Sequence, residues 1–354
     1  MMGQPLQTYR KNLFRKRIFL AVGILLLLIL GIAGVLSGTA DLGLTQIFEV
    51  IRGEGEPIAR QIITNIRLPR VLSAVLAGMM LAVAGAAMQS LLRNPLGSPF
   101  TLGISNAAAF GAAAAVVLLG AGATHSNSTD AVLIDNPYLI TFCAFAASLV
   151  ATLIILAVTR LRNAGPETII LTGIMIGSLF TAGTTALQFV AEDVQIAAIV
   201  FWTFGDLGRA GWREFWVMLV VAIPTLIYFI YNRWNYNALD AGDETAVSLG
   251  VRVGATRTGG MIVASLSTAI AVSFFGIIAF VGLVVPHIVR AITGSDERFL
   301  IPASALYGGI FLLFSDTLAR TIIAPMVLPV GILTSFIGAP LFLYLLIKRR
   351  RRML

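Results

Sequence analysis

Apolar runs of about 20 residues, the length that crosses roughly 30 Å of hydrocarbon, recur from one end of this chain to the other. Nine of them are free or nearly free of charge, at about 18–38, 71–92, 100–121, 138–159, 168–190, 215–232, 258–280, 299–322 and 329–347. A soluble domain has no interior large enough to bury them, and a chain with 58% hydrophobic and only 12% charged residues has too few charges to coat such a domain. The sequence predicts an all-α, polytopic membrane protein, because a helix satisfies its backbone within the lipid. Residues 1–354 read as one transmembrane domain. The run after Arg15, Lys16 and Arg17 is longer than the core of a secretory signal and is followed by further spans, so it is expected to remain.

Charge then sets the count. Basic residues gather at both ends, as RKNLFRKR and as KRRRR from Lys348, and in short loops. Basic segments stay on the cytoplasmic side, so both termini are expected there and the number of crossings must be even. The missing pass is placed at Gly282–Thr293, a short helix broken by Pro286 and sheltered by its neighbours. With about ten helices, 18 of the 25 Lys and Arg residues fall inside and 7 outside. This distribution accounts for the net charge of +8 without nucleic acid. Cytoplasmic elements are then the tail 1–17, the basic tail 348–354 and the polar loop 233–257. The stretch Val194–Phe204, too short to cross, is expected as an external surface helix.

Several chemistries lack their residues. The only lysines are Lys11, Lys16 and Lys348, and none follows a glycine, so no phosphate loop of the GxxxxGK[ST] type exists. His125, His287 and the lone Cys143 lack metal-ligand spacing. No catalytic residue, metal or cofactor is expected. Ion-coupled transport needs intramembrane ionisable groups, and Asp316 with Arg320 one turn later reads as a structural pair. That class remains an alternative, but coupling to an ATPase on another chain fits better. The loop NALDAGDETAVSLGVRVGATR is the natural contact, with Asp243 and Glu244 favouring a helix start and Gly250 a stop. Gln89, Ser105 and Asn106 are polar groups in spans that either line a path or bond between helices. Frequent glycines, including Gly78 and Gly85, suit close helix packing.

Five ordered stretches carry a resemblance: RLPRVLSAVLAGMMLAVAGAAMQSLLRNPLGSPFTLGISN (Arg67–Asn106), GDETAVSLGV (Gly242–Val251), FVGLVVPHIVRAITGSDERFLIP (Phe280–Pro302), SDTLARTI (Ser315–Ile322) and LPVGILTSFIGAPLFLYLL (Leu328–Leu346). Over about Ile18 to Lys348 the chain resembles the iron-siderophore and cobalamin permeases of bacterial ABC importers. The resemblance implies a ten-helix subunit in the cytoplasmic (inner) membrane, paired with a second, identical or homologous permease. It also implies two cytosolic ABC ATPases and an external substrate-binding protein. On this reading Asp243, Glu244, Ala246, Leu249 and Gly250 form the ATPase-coupling helix, and Arg67, Arg70 and Arg320 meet acidic side chains of the binding protein. Two positions depart from the family pattern: Val327 stands where an acid often precedes the LPVG turn, and Ala107 follows Ser105-Asn106. The expected cargo is an iron(III)-siderophore complex, with cobalamin or haem the alternatives.

Overall fold

A computed structural model describes residues 3–38, 43–121, 136–162 and 165–350. His125 and the last basic residues lie outside them. In chain order the helices are α1 (Gly3–Leu36), α2 (Leu44–Arg52), α3 (Pro57–Leu91), α4 (Ile104–Leu118), α5 (Pro137–Arg162), α6 (Pro166–Val190) and α7 (Asp193–Thr203). They continue with α8 (Trp212–Tyr231), α9 (Arg233–Asp240), α10 (Asp243–Ser248), α11 (Val253–Phe275), α12 (Val281–Thr293), α13 (Glu297–Thr321) and α14 (Val330–Arg350). No strand occurs among the described residues.

Seven of these, α1, α3, α5, α6, α8, α11 and α13, are long and apolar enough to cross a membrane. The shorter apolar helices α4, α12 and α14 bring the number to ten, including the sheltered pass expected at Gly282–Thr293. The boundaries move for physical reasons. The span expected at 100–121 starts only at Ile104, because the preceding segment enters the protein as buried turns, with Ser98, Leu102 and Gly103 shielded by neighbouring helices. The span expected at 258–280 ends at Phe275, and Gly276 and Phe280 take positive φ before α12 begins. Irregular backbone at such depth is tolerated where protein covers it. Residues 3–17, expected as a cytoplasmic tail, are helical and continuous with the rest of α1. The segment expected on the surface, α7, instead packs Ala198, Ile199 and Trp202 into the protein.

Helix α3 is the central element, buried along most of its length, whereas α1 is largely exposed at the edge of the bundle. It begins with Pro57 in its first turn, where a missing N–H costs nothing. Residues Ile62–Arg67 then form a wide π-helical turn. The Thr64 carbonyl accepts a hydrogen bond from the Trp212 indole at 2.9 Å, which joins α3 to α8.

Two glycine contacts bring α3 against its neighbours. A Cβ on Gly78 would collide with the Gly308 carbonyl of α13, and one on Gly85 with the Gly282 carbonyl of α12. Lipid tails supply no hydrophobic drive between helices, so backbone contact of this kind is a main source of cohesion. Around these crossings Met80, Leu81, Val281, Val285, Leu312 and Leu313 pack as one buried cluster.

Candidate translocation and coupling site

At the outer end of the bundle Arg67 and Arg70 of α3 and Arg320 of α13 all turn inward. Arg70 forks onto Asp316 of α13 through Nε at 3.0 Å and Nη2 at 2.8 Å. Arg320, one turn beyond Asp316, places its Nε 3.1 Å from the other carboxylate oxygen and donates from Nη1 to the Ser37 carbonyl at 2.7 Å. Arg67 donates to the carbonyls of Val35 and Leu36 at 2.8 and 2.7 Å. These are unsatisfied carbonyls at the C-terminus of α1, where the helix dipole favours cations. Arg67 is 4% exposed and Arg320 5%, and the Asp316 carboxylate is fully buried. Asp206 adds a second carboxylate 3.7 Å from Arg70.

Arg67, Arg70 and Arg320, expected to meet an outside partner, each make bonds within the protein. These bonds take up part of the donor set of each guanidinium, and Nη2 of Arg320 is buried without a hydrogen-bond partner. Among the described residues, exposed charged groups close to this end include Glu49 and Arg52 of α2, Glu54 and Glu56 in the turn after it, and Arg60 at the start of α3. The pairing of Asp316 with Arg320 was legible as a one-turn spacing. Arg70, 246 residues from Asp316, was not.

At the other end of α3 a second polar cluster forms. Ser90 donates to Glu297 at 2.6 Å, and Arg290 sits 3.6 Å from Glu297 and 3.7 Å from Asp240. Asn237 accepts from the Glu297 backbone N–H at 2.8 Å and donates to Asp296 at 3.3 Å, so α9 is tied to the start of α13. Burial pushes the Asp240 carboxyl above its ordinary value, against the pull of Arg290, the Ser90 hydrogen bond and Arg93. Sequence reading missed this cluster, whose only sign was charge at the margins of apolar runs.

The polar loop that prompted the coupling expectation folds as two short helices, α9 and α10. Asp243 and Glu244 open α10, Ala246 is fully buried beneath it, and Gly250 follows Leu249 in the left-handed conformation with φ +83°. Val247 and Leu249 project exposed, at 62% and 68%. Arg257 was not anticipated. It donates through Nε to the Leu91 carbonyl at the end of α3 at 3.0 Å, and through Nη2 to both Asp243 oxygens at 3.0 and 3.1 Å. The exposed helix is thereby bonded directly to the central one.

The three path candidates separate. Gln89 is buried, donating to the Leu283 carbonyl at 3.2 Å, and serves the contact of α3 with α12. Ser105 is buried in α4 and lines a small internal cavity of about 160 Å³ with Ser98, Thr101 and Thr268. Asn106 reaches a surface groove of about 530 Å³ between α4 and α6, donating to Thr181 at 3.0 Å and to the Gly177 carbonyl at 3.3 Å. Phe100, Ile174, Gly173, Ser178 and Thr185 also line it, and its wall holds no charged residue. His287 packs its ring on Phe342 with centroids 5.6 Å apart, a packing role next to Pro286 within the continuous helix α12.

Residues 26–348 match the FecCD transport family. The chain belongs to that family. A protein of Methanocaldococcus jannaschii described as an ABC transporter permease is 53% identical over 98% of this chain and 99% of its own length. The hemin transport system permease protein HmuU of Yersinia pestis is 35% identical over 95% of this chain and 97% of its own. The vitamin B12 import system permease protein BtuC of Escherichia coli is 35% identical over 83% of this chain and 86% of its own. A solved chain described as the inward-facing conformation of a metal-chelate type ABC transporter superposes with a TM-score of 0.81. It is 26% identical and covers 94% of this chain and 99% of that chain. This FecCD chain is therefore an ABC importer permease, a transport subunit with the ten-helix membrane fold.

Proposed function

We propose that this FecCD permease forms the translocation path for an iron(III)-siderophore complex in the cytoplasmic membrane, with a second, identical or homologous copy completing the path. Two cytosolic ABC ATPases would seat the exposed α10 helices, and an external substrate-binding protein would deliver the chelate. The observation that carries this reading is the pairing of an exposed apolar tip, Val247 and Leu249, with a rigid tie from Asp243 through Arg257 to α3. A cytosolic helix keeps such residues exposed when a partner covers them, and the tie gives that partner a hold on the central helix. The groove at Asn106 supports the cargo side, because its wall of small, hydroxyl and apolar groups, Phe100 and Ile174 among them, carries no charge that would hold a bulky chelate in place.

Haem is the second reading, favoured by the similarity of the Yersinia pestis hemin permease over 95% of this chain. Ion-coupled transport is disfavoured because Asp316, the intramembrane acid, is held by Arg70 and Arg320. The deciding experiment is uptake into proteoliposomes containing the permease, its ATPase and its binding protein. ATP-dependent entry of a radio-labelled ferric siderophore, not displaced by excess hemin or cobalamin, supports the proposal. Hemin uptake alone selects the second reading, and uptake that ignores ATP but follows a proton gradient rejects both.

A further inference from the structure

Helix α1 is 34 residues long, about 50 Å at 1.5 Å per residue, which exceeds the roughly 30 Å hydrocarbon core by about two-fifths of the helix's length. Its apolar part begins at Ile18, so residues 3–17 project through the headgroup layer on the basic, cytoplasmic side. At that level lies a cavity of about 340 Å³ between α1 and the turn from α12 to α13, lined by Asn12, Arg15, Lys16, Gly294, Asp296 and Arg298.

The cavity carries uncompensated positive charge. Its one carboxylate, Asp296, is taken by Arg298 through a fork at 2.7 and 3.0 Å. Among the described residues no carboxylate is ion-paired with Arg15 or Lys16. Lys16 is positioned by the Phe299 ring, whose centre lies 4.6 Å from its Nζ. Leu13, Ile292 and Phe299 supply an apolar side to the same cavity. Immediately beside it Phe14, Ile18, Val22 and Leu25 of α1 face outward, exposed, so the cavity opens at the lipid-facing edge of the bundle.

We propose that this cavity binds the phosphate headgroup of an anionic phospholipid of the cytoplasmic leaflet, with the acyl chains lying along the exposed face of α1. The geometry suits that ligand on both counts: cations at headgroup depth meet the phosphate, and the apolar face of α1 meets the tails. A soluble phosphate would use only the first. The site lies apart from both the α10 tip and the groove at Asn106, and it stands whether or not the cargo is an iron chelate.

Native mass spectrometry of the full permease, offered equal phosphatidylglycerol and phosphatidylcholine, tests the charge. Wild type should retain phosphatidylglycerol preferentially, and the double variant Arg15→Gln/Lys16→Gln should lower that preference roughly tenfold. The double variant Arg10→Gln/Lys11→Gln, which removes equal charge outside the cavity, should leave it unchanged. A photoactivatable phosphatidylglycerol tests the place on wild-type protein alone: adducts should map to the peptides around Asn12–Lys16 and Gly294–Phe299. Equal loss in both double variants, adducts confined elsewhere, or displacement by millimolar inorganic phosphate would each overturn the proposal.

Discussion

Arg70 and Asp316 join the outer ends of α3 and α13 through a forked ion pair, and Ser90 and Glu297 join the inner ends of the same two helices. Between them Gly78 and Gly308 bring the two backbones into contact. The pair is thus fixed at top, middle and bottom and behaves as one rigid unit across the membrane. Arg257 attaches α10 to the lower end of that unit.

Removing Asp316 leaves Arg70 and Arg320 buried without their carboxylate, a change that costs about 3–5 kcal/mol for a buried pair. Asp316→Asn should lower the melting temperature of the detergent-purified protein. Arg70→Gln in the same chain should then cost less than it does alone, because the groups act together. Strict additivity in a thermal-shift double-mutant cycle would show that the pair is energetically silent.

The glycine contacts predict sharp position dependence. Gly85→Leu sets a side chain against the Gly282 backbone, which cannot yield as a flexible side chain could, and should abolish the folded monodisperse protein. Gly31→Leu in α1, where nothing lies within 4 Å, should behave as wild type in size-exclusion chromatography.

The coupling assignment separates into two parts. Leu249→Glu puts a charge at the exposed tip and should weaken association with the ATPase, measured by co-purification. Arg257→Gln leaves the tip intact but breaks the charged hydrogen bonds to Asp243, each worth about 1.5–3 kcal/mol. It should preserve ATPase association while cutting transport per ATP hydrolysed by roughly tenfold. Normal transport in both variants would remove α10 from the coupling path.

Asp240 supplies a pH dependence. Its carboxyl is raised above the ordinary 3.8, so the folded state binds a proton more tightly than the unfolded chain. The contribution from this group is fully present below 3.8 and is lost as pH rises through the raised folded value. Wild type should therefore gain stability relative to Asp240→Asn on acidification across that window. Denaturation midpoints of the two proteins that run parallel over the same range would contradict the shift.

What the sequence determined by itself is whatever depends on neighbours along the chain. Apolar runs of spanning length fixed the membrane class, and the asymmetry of Lys and Arg fixed the parity that demanded a pass at α12. The short helix from Asp243 and the stop at Gly250 followed from local capping chemistry, and Asp316 with Arg320 followed from one helical turn. The tertiary structure decided what depends on which helices meet. The resemblance implies that Arg67 and Arg70 meet acidic side chains of a binding protein. Folding brings the α1 carbonyls and Asp316 to them, and buried partners outcompete solvent for a planar fork. Gln89, Ser105 and Asn106 are alike in sequence, yet only Asn106 faces the groove, since the contacts of α3 with α12 and of α4 with α6 set the rotation of each helix. No local pattern encodes those rotations, because they arise from glycine contacts and ion pairs between residues far apart in the chain.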